Sequence, residues 1–293
     1  MIRRGVLGAV VLAALSFIGC KKAPPADGVC SYDPLPAGAE VPFGQGGVQV
    51  MAATDSYFYA FDGAGKQIAY QGANRLLPLK PGDYQIKINN TTHPVSVQSK
   101  TLAKCASGTV LGTGKTDEYY YIFDGAGTQL AYEKLGKALS LFPGKYQGRL
   151  NNTSTPVDVS PNATIELKSG LLDVLGSTDE YYYVFNSTGT QLAYNKLGKA
   201  LSFVEGAYSA KINNVAIPVR MDPSRTNEYQ TGTLTVKGSG SDYYYVFDGN
   251  GTQLGYNKLN QALSFPAGSY SVKVGNNTRP ATVTAGQAVA VNW

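Results

Sequence analysis

Apolar and polar residues alternate one by one through short stretches of this chain, and nowhere recur with helical spacing. The clearest run places Tyr270, Val272 and Val274 on one side and Ser271 and Lys273 on the other. Its counterparts are Tyr84, Ile86 and Ile88, and Tyr208, Ala210 and Ile212. A period of two predicts strands with one buried and one wet face. Turn signals bound each run. Asp-Gly-x-Gly at 62–65, 124–127 and 248–251 reads as a hairpin turn, and Pro143-Gly144, Glu205-Gly206 and Ala267-Gly268 punctuate before the alternating strands.

The pattern returns every 62 residues without a gap, four times, in register at Phe61, Phe123, Phe185 and Phe247 and again at Pro94, Pro156, Pro218 and Pro280. Each copy reads as about seven short strands. A strand opening at Gly46, Gly108, Gly170 or Gly232 leads, a Tyr-rich strand follows, and a strand such as 164–167 closes the unit. The expected fold is all-β, a tandem array of four small antiparallel β-sandwiches. A four-bladed β-propeller is the alternative. Against it, the last-strand template at 101–106 and 286–291 also fits 39–44, so it occurs five times where the others occur four. A closed ring needs equal numbers, whereas an open array can carry a spare strand as a cap. The expected division is 1–19 signal peptide, 20–38 acylated cysteine and Pro-rich tether, and 39–46 extra capping strand. Repeats follow at 46–107, 108–169, 170–231 and 232–293. Only Ser107-Gly108, Ser169-Gly170 and Thr231-Gly232 separate neighbours, so these two-residue turns predict coupled units.

Pro-Ala-Gly-Ser-Tyr-Ser-Val-Lys-Val at 266–274, followed by Pro-Ala-Thr-Val-Thr at 280–284, resembles the end of the PEGA and carboxypeptidase-regulatory-like sandwiches. Val246-Phe247-Asp248-Gly249 sits where those families carry a strand ending in Asp-Gly. The resemblance implies an extracytoplasmic binding or spacer module and supplies no catalytic residue.

The N-terminus reads differently. Arg3 and Arg4 precede an apolar run from Gly5 to Gly19, 15 residues that are short for a bilayer span and have the form of a secretory signal. The run stops at Phe17-Ile18-Gly19-Cys20, which resembles a bacterial lipoprotein signal. That resemblance implies lipidation of Cys20 and a membrane partner through the lipid anchor. Lys21 follows where some bacteria read an inner-membrane retention Asp, which favours outer over inner membrane. Prolines between Lys21 and Pro36 make the next segment an extended tether. Cys30 and Cys105 remain, and in an oxidising compartment they are disulfide candidates.

Removal of the signal leaves 23 basic against 20 acidic residues, a formal +3, with no basic cluster of the kind that binds nucleic acid. Enzyme chemistry finds little support. His93, the one histidine, lies in the Asn-Asn turn of the first repeat and has no counterpart in the others. Cys and His are too few for a zinc site, and each hairpin turn offers one carboxylate at most, which reads as turn chemistry rather than a calcium loop. Asp117-Glu118 and Asp179-Glu180 read as strand-edge charges that discourage sheet-to-sheet aggregation. No cofactor is implied.

Tyrosine is the unusual component, with 21 copies against one Trp. By analogy with the sandwiches above, Tyr121 and Phe123 point inward, which leaves Tyr120, Tyr182 and Tyr244 outward as candidate ligand-binding residues. The competing reading packs these rings against a neighbouring unit or under the Lys-Leu-Gly-Lys turns at 134–137 and 196–199. The sequence therefore supports a non-enzymatic, lipid-anchored envelope protein, a structural or adhesive spacer. The second reading is a carbohydrate- or peptidoglycan-binding protein that uses recurring outward tyrosines. An envelope protein or a glycan is the expected partner.

Overall fold

The computed structural model describes residues 28–223 and 225–293; the signal, Cys20 and most of the tether lie outside them. All regular structure among the described residues is β.

The first unit follows a lone strand, β1 (Cys30–Pro34). It comprises β2 (Gly46–Met51), β3 (Tyr57–Phe61), β4 (Gln67–Gly72), β5 (Leu77–Leu79), β6 (Gly82–Ile88), β7 (Thr91–Val97) and β8 (Thr101–Ala106). The strands form two facing sheets, ordered β1-β8-β2-β5 and β4-β3-β6-β7. Val48, Val50, Phe58, Ala60, Ile86 and Ile88 fill the space between them. The second unit repeats this with β9 (Gly108–Thr113), β10 (Tyr119–Phe123), β11 (Gln129–Lys134), β12 (Ala138–Leu141), β13 (Gly144–Leu150), β14 (Thr153–Val159) and the first half of β15 (Thr164–Leu175). Two further copies follow over residues 171–230 and 232–292.

The sandwiches are not wholly antiparallel. The last strand of each unit runs parallel to its first, as β2 with β8 and β9 with β15. A chain that leaves each unit in the direction in which it entered passes straight into the next. Accordingly, the joint at Ser169-Gly170 is no turn: β15 crosses it unbroken, pairing with β9 through residues 164–168 and with Leu201–Val204 through 169–172. Glycine is required at these joints. A Cβ on Gly108 would lie 2.3 Å from the Ser160 carbonyl oxygen, and one on Gly232 2.1 Å from that of Thr284.

The array is open. No strand pairing joins the first unit to the fourth among the described residues, so the propeller alternative is excluded. The spare strand exists but is not 39–46: residues 39–45 are irregular and turn, with Phe43 fully exposed, and Gly46 already opens β2. The template at 39–44 is a closing strand, and a closing strand pairs with the first strand of its own unit; among the described residues no such partner lies before it. Instead β1 covers the edge of β8, with Cys30 opposite Cys105 and a disulfide between them.

Candidate functional site

The Tyr-rich strands face opposite to expectation. Tyr120, Tyr182 and Tyr244 are wholly buried, as is Phe58 in the first unit. They share the inward face with Ile122, Val184, Val246 and Ala60, and those aliphatic residues were the sequence signal for the parity of the strand. The Tyr120 hydroxyl donates to the Val110 and Lys137 carbonyls, both at 3.0 Å. Tyr182 donates to Lys199 O at 2.8 Å, and Tyr244 to Gln261 O at 2.8 Å. Burial drives the ionisation of all three well above the ordinary tyrosine range. For Tyr244 the Glu180 carboxylate adds to the effect of burial. These rings are the pillars of each core and lie under the Lys-Leu-Gly-Lys turn, out of reach of any ligand.

The outward face carries a different set. Tyr57, Tyr59 and Tyr70 cluster on the first unit, and Tyr119, Tyr121 and Tyr132 on the second. Tyr181, Tyr183 and Tyr194 repeat the cluster on the third, and Tyr243, Tyr245 and Tyr256 on the fourth. In each, the ring from the second strand sits between the two from the first, as Tyr132 does at 5.8 Å from both Tyr119 and Tyr121. Cations lie over neighbouring rings: Lys134 over Tyr119 at 5.6 Å, Arg149 over Phe123 at 4.0 Å and Lys211 over Phe185 at 4.8 Å. Phe123 faces this side too, beneath the Arg149 guanidinium, and not the core.

The Asn-Asn turns meet the next unit. Both asparagines hold positive φ, at 46° and 60° for Asn151 and Asn152, a conformation that asparagine tolerates better than most residues. Asn151 donates to Ser202 O at 2.8 Å, and Asn152 to Leu192 O at 2.9 Å. Asn89 and Asn90 reach Ser140 O and Leu130 O in the same way, as Asn213 and Asn214 reach Ser264 O and Leu254 O. Hydroxyls complete each latch, Thr116 with Ser202 at 2.7 Å and Thr178 with Ser264 at 2.7 Å.

Glu118 and Glu180 belong to these latches and are not edge charges. One oxygen of Glu118 accepts from Ser202 N at 2.7 Å and from Thr116 Oγ1 at 2.6 Å, and the other accepts from Asn151 Nδ2. Glu180 repeats the arrangement with Ser264 N at 2.5 Å. Apolar contact crosses the joints as well: Phe142 packs in the core of the first unit and Val204 in that of the second.

The first and last joints leave a cleft on the tyrosine side. Between the first two units it encloses about 410 Å³, lined by Tyr57, Tyr59, Lys87, Asn89, Asn90 and Tyr132 among others. Between the last two it encloses about 360 Å³, with Tyr181, Tyr183, Lys211, Asn213 and Asn214 in the matching positions.

The remaining chemistry is structural. Oδ1 of Asp62 accepts from Ala64 N and Lys66 N, and Asp124 and Asp248 close their turns in the same way. His93 lies on β7 rather than in the turn, its ring 5.4 Å from that of Phe142. Asp173 stands beside Glu228 on a parallel strand, and one of its buried oxygens has no hydrogen-bond partner. Burial first, and Glu228 second, raise its pKa above the ordinary carboxylate value.

No family model matches the chain, so the likeness to PEGA-type sandwiches remains a resemblance, and no curated protein matches it either. Among solved structures, the Bacillus anthracis TIE protein aligns over 93% of this chain and 75% of its own, with 11% identity and a TM-score of 0.21. GBS52, the minor pilin of Streptococcus agalactiae, aligns over 43% of this chain and 94% of its own, with 12% identity and a TM-score of 0.21. BcpA, the major pilin subunit of Bacillus cereus, aligns over 85% and 98%, with 11% identity and a TM-score of 0.19. TM-scores of this size are too low to assign a fold family or a function.

Proposed function

We propose that this chain is a non-enzymatic, lipid-anchored envelope protein, a stiff array that holds repeated sandwich units away from a membrane and presents one aromatic face outward. The observation that carries the reading is the joint. A strand runs unbroken through the second joint, an Asn-Asn turn and hydroxyl pair latch the two sides of each, and at the first joint Phe142 of the second unit enters the core of the first. A two-residue connection with that much contact leaves little freedom for hinge motion. The disulfide at the membrane-proximal end fits an oxidising, extracytoplasmic setting. Cys20, with the basic and apolar residues before it, supplies the anchor in this reading.

Small-angle scattering on the chain from Lys21 onward tests the stiffness. The profile should fit one fixed arrangement of four units, and a flexible Gly/Ser insertion before Gly170 should broaden the distance distribution. A profile that already requires a broad ensemble without the insertion overturns the stiff array. Radiolabelled palmitate tests the anchor: incorporation should vanish in Cys20→Ala, and a variant retained equally in the membrane fraction removes the anchor from the reading.

A further inference from the structure

The joint clefts repeat one set of side chains. Each places two outward tyrosines of one unit beside a cation from the adjacent strand and the latch asparagines at its floor. The cation is Lys87 at the first joint and Lys211 at the last, and Arg149 holds the equivalent repeat position at the joint between them. None of the three is ion-paired with a carboxylate among the described residues; Lys87 and Lys211 lie over Phe61 and Phe185. Ring faces beside an unpaired cation suit a ligand with flat apolar patches and a negative charge. Clefts of roughly 300–1,000 Å³ are the usual size for small-ligand sites, and these fall at the lower end, which fits one or two sugar rings.

The wider face agrees. Lys134, Lys196, Lys258 and Lys273 point the same way as the tyrosines, while Asp83 and Asp158 are the carboxylates on the two strands beyond them. Among the described residues, Lys196 alone of these cations has a carboxylate partner, Asp179 at 3.7 Å. Two like clefts held apart along a stiff array match a polymer of repeating composition, because the second site engages at high effective concentration.

We infer that the clefts at the first and last joints bind an anionic polysaccharide, its sugar rings against the paired tyrosines and its carboxylates on Lys87 and Lys211. The inference rests on the docked joints of the stiff-array reading. It also ranks the sites. Glu180 lines the last cleft and Glu118 holds the matching place at the second joint, whereas Ser56 stands there at the first. An acidic residue thus stands at the second and third joints and none at the first, so the first cleft binds an anion most tightly.

Calorimetric titration of the chain from Lys21 with alginate, polygalacturonate and hyaluronate fragments tests this, with neutral galactan, polyglutamate and poly-dT as comparisons. At least one uronate polymer should bind more tightly than all three comparisons. Lys87→Gln should weaken that binding roughly tenfold, more than Lys211→Gln does, and Tyr59→Ala should weaken it similarly while Tyr59→Trp retains it. Each variant is checked by its melting temperature, so that loss of fold is distinguished from loss of binding. Absence of uronate binding overturns the inference, as does equal or tighter binding of polyglutamate, galactan or poly-dT. Scattering on the same samples reports the array separately: a stiff array that binds no uronate removes the ligand and leaves the spacer.

Discussion

A tyrosine in these strands does one of two jobs, and its place in the alternation decides which. Tyr120 is fully buried with its hydroxyl on two carbonyls, whereas Tyr132, from the facing strand, is 57% exposed. Tyr120→Phe should cost about 1 kcal/mol, the net value of a buried hydrogen bond, because the ring still fills its site as Phe58 does in the first unit. Tyr120→Ala should cost about 3–5 kcal/mol by opening a cavity. Tyr132→Ala should cost less than about 1 kcal/mol. Equilibrium urea unfolding checks the order, and an equal cost for Tyr120→Ala and Tyr132→Ala would overturn it. Asp173 is the residue most at odds with its surroundings. The matching positions hold Gln49, Leu111 and Thr235, none of them acidic. Its folded-state pKa is raised, so the folded state loses stability as pH climbs past the ordinary carboxylate range. Asp173→Thr should therefore stabilise the chain at neutral pH, and the gain should fade as pH falls below about 4. Thermal melts at both pH values measure it, and a gain that persists unchanged in acid assigns it to another cause.

At the scale of elements, the Asn-Asn turn does two things with one pair of residues. It closes the hairpin in a left-handed conformation, and its amides reach the next unit. Where a neighbour follows, both asparagines reach it. The fourth unit carries Gly240, Asp242 and Gly275 where the second has Thr116, Glu118 and Asn151. The first unit likewise carries Pro78 and Lys80 where the second has Ser140 and Phe142. These departures look like drift when read one residue at a time; grouped by contact, they mark faces with no partner unit. Glu118→Ala leaves Ser202 N and one of the two Asn151 amide hydrogens without an acceptor and should cost about 1–3 kcal/mol. Ser56→Glu should add the missing acceptor at the first joint, raise the melting temperature, and weaken uronate binding there. If Glu118→Ala melts like the unaltered chain, the latch contributes nothing to stability and the joint is held by apolar contact alone.

For the whole molecule, the question is whether four units melt as one. A 62-residue sandwich buries only about 60% of the surface its unfolded chain exposes, so it is marginal alone. An isolated second unit, residues 107–168, loses the seat of Phe142 in the first core and the contribution of Val204 to its own. It should melt well below the full array, and calorimetry of the two compares them directly. Equal melting temperatures would make the units independent and sink the coupled array. The Cys30–Cys105 bridge closes a loop of 75 residues, and its loss should cost about 4 kcal/mol in the chain-entropy account, concentrated in the first unit.

The sequence by itself determined the repeat, the all-β class and the seven strands of each unit, and it made Cys30 and Cys105 candidates for the bridge that the structure shows. Those depend on alternation, turn residues and cysteine count, which are local or arithmetical properties of the chain. Which face of the Tyr strand is dry was also written there, in Ile122, Val184 and Val246, but three aromatic residues in a row obscured it. Only the tertiary structure decided the rest. The parallel pairing of first and last strands turns an apparent two-residue turn into a strand that crosses the joint. The exposed Phe43 shows that a strand template forms no strand where its pairing partner is absent. Glu118 and Glu180 become latch residues because Ser202 and Ser264, 84 positions along the chain, fold back against them. Contacts at that separation leave no local pattern in a sequence, because what selects the residue is the neighbour it meets.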